Sequence, residues 1–328
     1  MKKHLTLAAL LATTILAAPP VQAQPSSEEL VNAFEGVLGP IRTSRPSHPK
    51  GYCATGHFTA TPDGTRLSVA PTFSGQRVNA LIRFGVAGPN PQGASDVARS
   101  TRGLSIRFET QGGDVWEMAN ISAPIFGSPT PELFVQNLAV RRPDPATGRP
   151  NQAAIDAFVA ANPAVTLQGR WLASMAPPAS FATTPYWGVN AFRFRGQDGQ
   201  VRLARWSFEP RAGVTRLTDE QARTLGPNFL ADELRARVGR GPVEFDMVLQ
   251  FAGPGDDVNN PTIAWPEDRP RTTVGRLVVS AVEPGPGGAC DPVSFMILDQ
   301  EPGVTLSDDP TLAVRAGSYA VSLSRRLQ

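Results

Sequence analysis

An arginine and a tyrosine near the end of the chain form the residue pair best suited to chemistry. Arg315 and Tyr319 lie in a stretch, 307–326, that opens with Ser-Asp-Asp-Pro and continues with apolar residues at helical spacing. Four residues apart on a helix, the two side chains would be neighbours. A guanidinium beside a phenol stabilises the ionised form, and a buried phenolate is a hard anionic ligand that haem iron can use. Alone, the pattern is more typical of a core tyrosine beside a snorkelling arginine.

The small number of cysteines and histidines restricts the metal chemistry. Beyond residue 23 the chain has Cys53, Cys290, His48 and His57 as its complete set of these residues. A zinc site that needs several such ligands is therefore poorly supported. A metal would have to be carried by a cofactor that supplies most of its own ligands. In an oxidising compartment, two cysteines are most simply explained by one disulfide, although the sequence leaves their pairing open.

The first 23 residues are typical of a cleavable signal peptide. Lys2 and Lys3 precede an apolar run, 5–18, and Val21-Gln22-Ala23 offers a small-x-small cleavage site. The run is too short to span a membrane, and no later run reaches that length. We therefore expect a periplasmic protein without a membrane partner, in which residues 24–328 form a single domain.

The pattern of strands and helices predicts an α+β fold built on a closed antiparallel β-barrel. Thirty-two prolines and 30 glycines suit a β-rich chain with many turns. Alternating segments predict strands at 53–61, 78–86, 103–110, 115–120, 187–195, 201–209, 243–251 and 273–282, with helices at 26–38, 129–138, 151–161, 218–237 and 307–326. About eight strands with helices around them suggest a barrel that holds side chains or one small ligand. The net charge of +2 offers no broad field for nucleic acid.

Residues 45–51, Arg-Pro-Ser-His-Pro-Lys-Gly, resemble the catalase family, in which an Arg-x-x-His-x-Lys-Gly run enters the first barrel strand. Further resemblances follow in order at Arg83-Phe84, 96–103, 116–126, Phe134, 188–192, 263–266 and the final Arg315-x-x-x-Tyr319. The chain ends soon after Tyr319 and begins with a leader, as in the short catalase-related peroxidases. The resemblance implies the catalase barrel fold, haem b as cofactor and a reaction that consumes hydroperoxides.

The resemblance also implies roles for particular residues. Tyr319 would be the ligand of the haem iron, and Arg315 would keep it ionised. His48 would be the distal catalytic residue that moves a proton when bound peroxide is cleaved, work that suits an imidazole titrating near neutral pH. Phe134 would pack on the distal face of the haem. Arg45, Arg83 and Arg326 match positions that pair with the haem propionates, and forked guanidinium pairing suits arginine better than lysine.

Two positions depart from the family pattern on the distal side. Gly85 stands where the family has a serine that bonds to the catalytic histidine, so His48 must find another orienting group. Ile121 stands where the family has an asparagine. We take Asn120, the adjacent residue, as the second catalytic residue, although a shift of one residue in a strand reverses the face unless a bulge restores it. Ser122 could substitute as a weaker hydrogen-bonding group.

These observations lead us to expect a haem-dependent peroxidase that reduces hydrogen peroxide or organic hydroperoxides with a small-molecule reductant. Because the distal side is incomplete, peroxidase activity should outweigh the release of oxygen. We expect a monomer or homodimer. The alternatives are a periplasmic haem carrier, a relative that rearranges fatty-acid hydroperoxides, and a haem-free lipocalin-like barrel. We interpret His57 as an ordinary barrel residue, and we set aside a cysteine thiolate ligand because Cys53 and Cys290 lie off the proximal motif.

Overall fold

Eight long strands form the frame of the computed structural model, which describes residues 24–40, 44–285, 288–298 and 300–327. The predicted signal peptide, 1–23, lies outside these residues. The strands are β1 (Lys50–Ala60), β2 (Arg77–Val86), β3 (Arg102–Glu109), β4 (Val115–Ile121), β5 (Tyr186–Arg195), β6 (Val201–Pro210), β7 (Val243–Phe251) and β8 (Arg271–Val282).

The eight strands close into an antiparallel barrel. Strands β1 to β4 pair in sequence order, strands β5 to β8 do the same, and β1 pairs with β8. The ring is completed where Ile121 of β4 pairs with Trp187 of β5. A short ninth strand, β9 (Val304–Leu306), adds to the other edge of β5. The predicted closed barrel is therefore confirmed.

Aromatic side chains fill the interior of the barrel. Phe58, Phe108, Trp116, Phe194 and Trp206 are all buried, and their rings pack at centroid distances such as 5.1 Å between Phe58 and Phe108. Each large apolar side chain that is fully buried contributes about 1.5–3 kcal/mol to folding. Since the interior is packed with the protein's own side chains, a site for a large ligand must lie outside the barrel wall.

Eight α-helices within the described residues pack around this frame. They are α1 (Ser27–Leu38), α2 (Pro62–Leu67), α3 (Pro131–Ala139), α4 (Gln152–Ala161), α5 (Leu167–Ser174), α6 (Asp219–Thr224), α7 (Phe229–Val238) and α8 (Pro310–Arg326). A capping box at Ser26 and Glu29 begins α1, and the Asp309 side chain caps α8. Helix α8 packs against α1 and α3.

Several local features of the structure differ from what the sequence pattern predicts. The helix predicted over 218–237 is two helices, α6 and α7, because the Gly226-Pro227 pair interrupts it and proline has no N–H to donate. Residues 62–64, whose Pro-Asp-Gly sequence is typical of a turn, instead begin the short helix α2, which Thr61 caps through a hydrogen bond from the Gly64 N–H. Helix α5 and strand β9 are short elements that the sequence pattern did not predict.

A disulfide joins Cys53 in β1 to Cys290 in the segment after β8. Both cysteines are fully buried, and they are 237 positions apart in the sequence, so the disulfide closes a long loop. It ties residues 288–298 to the barrel wall. Within the described residues, no helix combines the length and apolar character needed to cross a membrane.

Candidate active site

A cavity of about 390 Å³ lies between the outer face of strands β2–β4 and the helices α1, α3 and α8. Its lining is mainly apolar, with a few polar and charged side chains, as is usual for small-molecule and cofactor sites. The cavity brings together seven of the eight predicted site residues: Arg45, His48, Arg83, Asn120, Phe134, Arg315 and Tyr319.

Helix α8 presents Arg315 and Tyr319 to the cavity as a bonded pair. The Arg315 guanidinium donates a hydrogen bond to the Tyr319 hydroxyl at 2.7 Å, and a second one to Asn190 Oδ1 at 3.0 Å. The Asn190 amide in turn donates to Asp309 Oδ2 and to Thr311 Oγ1, both at 2.8 Å. Burial raises the pKa of the Asp309 carboxyl. A chain of hydrogen bonds therefore fixes the guanidinium against the phenol. The sequence motif contained Asn190 but did not reveal this role.

His48 reaches the cavity from the segment that precedes β1 and lies against two glycines. Its φ of 52° is in the left-handed region, which costs a non-glycine residue energy that its surroundings must offset. Gly85 of β2 and Gly103 of β3 are register partners. A Cβ added at Gly85 would lie 3.0 Å from His48 Cβ, and one at Gly103 would lie 3.2 Å from His48 Cδ2. The two glycines thus leave a flat floor on which the imidazole rests.

Both ring nitrogens of His48 meet a hydroxyl. Ser47 Oγ lies 3.0 Å from Nδ1, and Thr101 Oγ1 lies 3.1 Å from Nε2. Burial lowers the pKa of His48 to about 3, and the positive charges of Arg83 and Arg102 add to the shift. This direction is opposite to the expectation of an imidazole that titrates near neutral pH, because desolvation and the two nearby guanidiniums disfavour the charged ring.

Three arginines converge beside the disulfide. Arg45 and Arg83 line the cavity, while Arg45 and Arg326 both donate to the backbone oxygen of Asp291, at 3.2 and 3.0 Å. Burial, together with the charges of Arg83 and Arg326, lowers the pKa of Arg45 to about 9. The Nε atoms of all three arginines are buried and have no hydrogen-bond partner among the residues that the structure describes. Crowded guanidiniums with orphaned donors are suited to an anionic group that brings its own oxygens.

Phe134 of α3 belongs to an aromatic wall of the cavity. Its ring stacks on Phe126 at a centroid distance of 5.7 Å and packs against Phe34 of α1 at 5.3 Å. These rings give a planar ligand an extended apolar surface.

Asn120 has its side-chain amide in hydrogen bonds with the barrel. The amide donates to the Leu104 carbonyl at 2.8 Å and accepts from Trp206 Nε1 at 2.6 Å. The β3–β4 register runs unbroken to Ile121, so no bulge rotates Asn120 to the face of Ile121. Ser122 Oγ accepts from a backbone N–H at 2.8 Å. The catalytic role of Asn120 stays a prediction.

The donor set fits an iron macrocycle that bears carboxylates. A phenol held by a guanidinium offers an oxygen ligand, and the three orphaned guanidinium donors match acidic substituents. The aromatic wall suits a flat ring system. Fold and site together define a barrel protein with a candidate cofactor site on its outer wall.

Comparisons with known proteins agree with this class. The family described as Catalase matches residues 42–328. A catalase-related peroxidase of Synechococcus elongatus is 40% identical over 91% of this chain and 88% of that protein. Another, of Mycolicibacterium paratuberculosis, is 34% identical over 91% of this chain and 94% of that protein. The crystal structure of a fungal catalase shares the fold, with a TM-score of 0.77 and 21% identity over 97% of this chain and 67% of that one. The chain belongs to the catalase family.

This membership confirms the predicted family resemblance and the predicted enzyme class, an oxidoreductase that acts on peroxide. Members of the family generally bind haem.

Proposed function

We propose that the protein is a haem-dependent peroxidase that reduces hydrogen peroxide or organic hydroperoxides at the expense of a small-molecule reductant. One observation carries the proposal: a single cavity is lined by the bonded Arg315–Tyr319 pair and by His48 with both ring nitrogens held. A phenol, an imidazole and the guanidiniums of Arg45 and Arg83 in one cavity provide an iron ligand, a proton carrier and an anion site.

Haem, when bound, would supply the redox chemistry that connects the peroxide to the reductant. Tyr319 would be the protein ligand of that iron, held in position by Arg315. Arg45, Arg83 and Arg326 would bind the propionates, and Phe134 would cover part of the ring. The proposed cofactor form is haem b.

His48 would carry the proton during cleavage of the peroxide. The ring is neutral at ordinary pH because its pKa is lowered to about 3, so one of its nitrogens carries a lone pair that can accept a proton. It would take the proton from the hydroperoxide and return it to the departing oxygen. The complete reaction converts ROOH to ROH and water, and the reductant provides two electrons and two protons.

The distal side supports peroxidase activity over release of oxygen. Ile121 lines the cavity at the position where the family pattern has an amide. The Asn120 amide already bonds to Leu104 and Trp206. A second peroxide, which oxygen release requires, would therefore be held less firmly than a first.

The proposal also includes the cellular location of the protein and its oligomeric state. The sequence of residues 1–23 supports export to the periplasm. We further propose a monomer or homodimer that meets its reductant as a small molecule.

A matched pair of tyrosine variants tests the cofactor and its ligand. The purified protein should show a Soret band, and a haem extraction assay should identify haem b. Tyr319→Phe should lose the band, because the iron ligand is removed. Tyr186→Phe is the control, since Tyr186 is a buried barrel residue whose hydroxyl donates to the Phe181 carbonyl and which does not line the cavity. A Tyr319→Phe protein with full Soret absorbance would refute the ligand assignment.

Oxygen evolution and oxidation of a phenolic dye, measured on the same sample, test the activity. We expect dye oxidation to dominate, and vigorous oxygen evolution would contradict the proposal. His48→Gln should lose dye oxidation and keep haem. A carrier protein would be indifferent to that substitution.

A further inference from the structure

We propose that Thr101 and Ser47 are the positioning residues of His48, with one hydroxyl on each ring nitrogen. They would replace the serine that the family pattern has at the position of Gly85. The inference rests on the proposed function only in giving His48 the task of moving a proton. The arrangement itself is independent of that task.

The geometry places a hydroxyl at each end of the imidazole. Thr101 Oγ1 is 3.1 Å from Nε2, and Ser47 Oγ is 3.0 Å from Nδ1. Both distances are ordinary for hydrogen bonds. Thr101 and Ser47 also line the cavity, so they meet the ring where a substrate would.

Thr101 immediately precedes β3, and hydrogen bonds fix the backbone around it. Its carbonyl accepts a hydrogen bond from the Ala87 N–H at 3.0 Å. The next residue, Arg102, is fully buried and donates to the carbonyls of Asp96 and Ala98 at 2.7 and 2.9 Å. The hydroxyl therefore has little freedom to move away from the imidazole.

A side chain at Gly85 cannot do this work without displacing its neighbours. A Cβ there would lie 3.0 Å from His48 Cβ and 3.1 Å from Arg83 Nη1, closer than side chains normally approach. Because Gly85 of β2 offers no side chain to His48, the hydrogen-bond partners are Thr101, just before β3, and Ser47, just before the histidine.

Two hydroxyls can orient a neutral imidazole that exchanges protons. The ring has one N–H and one lone pair, while each hydroxyl can donate or accept. Both tautomers are thus satisfied by rotation of the hydroxyls, and the ring cannot turn without breaking two bonds. The ring then keeps the same orientation from one turnover to the next.

Nitrogen-15 spectra of labelled histidine read the arrangement without any turnover. Beyond residue 23 the chain contains two histidines, His48 and His57, so His57→Gln assigns the signals. The sample is the purified protein, reduced under carbon monoxide to make bound haem diamagnetic. We expect Thr101→Val, which has nearly the same shape but no hydroxyl, to change the tautomer ratio of His48. Thr101→Ser should restore it, and Ser47→Ala should change it through the other nitrogen.

Peroxide kinetics then connect the arrangement to function. Thr101→Val should lower the second-order rate constant for peroxide by about 10- to 100-fold, part of what a general acid–base group contributes. Thr101→Ser should recover most of the rate. In a His48→Gln background, Thr101→Val should cause no further loss, since it acts through the histidine. Thr55→Val, on the exposed part of β1, is the control.

The possible failures are distinguishable. Wild-type protein without peroxide turnover would contradict the proposed function, and the histidine spectra would still decide the inference. Unchanged spectra and an unchanged rate in Thr101→Val would overturn the inference and leave the proposed function intact. Haem content, measured for every variant, identifies one that is simply misfolded.

Discussion

Asn190 is the residue through which Arg315 is tied to the start of α8. Its carbonyl oxygen accepts from Arg315, and its amide group donates to Asp309 and Thr311. All the polar atoms of this amide are therefore used in a buried setting, where an unpaired group costs about 1–3 kcal/mol.

We expect Asn190→Ala to lower the free energy of unfolding by about 1–3 kcal/mol and to speed the loss of haem. The reason is that the substitution leaves Arg315, Asp309 and Thr311 without a shared partner. Urea unfolding and transfer of haem to an acceptor protein measure the two effects. Asn79→Ala, at an exposed position of β2, should change neither. Equal haem loss from both variants would contradict the role of Asn190.

Variants at two neighbouring positions of β4, Asn120 and Ile121, test which position can place a catalytic amide in the cavity. Ile121→Asn should place an amide on the cavity side and increase oxygen release relative to dye oxidation. Asn120→Ala should mainly reduce stability, by about 1–3 kcal/mol, because Trp206 Nε1 loses its acceptor. Oxygen-electrode and dye assays on both variants make the comparison. Loss of peroxide turnover in Asn120→Ala at full haem content would instead support the predicted catalytic role of Asn120.

At the scale of elements, helices α1 and α8 cross with their backbones in close approach. A Cβ added at Gly317 of α8 would lie 1.9 Å from Ser27 Oγ and 2.8 Å from Ser27 Cβ. The crossing is held at its other end by an ion pair of 2.7 Å between Arg325 and Glu35. Since Leu30, Val31 and Phe34 of α1 line the cavity, this contact sets the position of one cavity wall.

We expect Gly317→Val to destabilise the protein by about 1–3 kcal/mol and to increase amide exchange in α1, because the added side chain pushes the helices apart. Gly169→Val in α5 is the matched control, since a Cβ at Gly169 meets nothing within 4 Å. Thermal unfolding and hydrogen exchange provide the measurements. Equal effects of the two substitutions would show that only helix propensity is involved.

The sequence was most informative about elements whose signals are local. Strand alternation predicted all eight barrel strands, and the cap at 307–310 predicted α8. The hydrogen bond between Thr101 and His48 could not be predicted in this way. The two residues are 53 positions apart in the sequence and meet only when β2 and β3 pair. Similarly, the sequence could show that Asn120 lies one position away from the asparagine of the family pattern. Only the strand register and the hydrogen bond from Trp206 show that its amide is already bonded within the barrel.

At the scale of the whole molecule, burial of His48 makes folding depend on pH. The pKa falls from 6.5 in an exposed state to about 3 in the folded protein, so the unfolded chain binds more protons between these values. The native state therefore loses stability as the pH drops below about 6.5.

We expect wild-type protein to lose about 2 kcal/mol more than His48→Gln between pH 7 and pH 5, from the linkage between protonation and unfolding. Denaturant titrations of both proteins at the two pH values give the double difference, which removes the contributions of other groups. A double difference near zero would mean that His48 titrates almost normally in the folded protein.

The packed barrel interior and the outer cavity share strand β4, so neighbouring residues of one strand meet different demands. Trp116 and Met118 are buried in the barrel, whereas Ala119 and Ile121 line the cavity and are only partly buried. Asn120 belongs to both groups, since it is buried and also lines the cavity. Mutations at Trp116 or Met118 would therefore threaten folding, and mutations at Ala119 or Ile121 would change the reactivity of the folded protein. Evolution can consequently tune reactivity at the cavity-lining positions while the barrel positions remain under selection for folding.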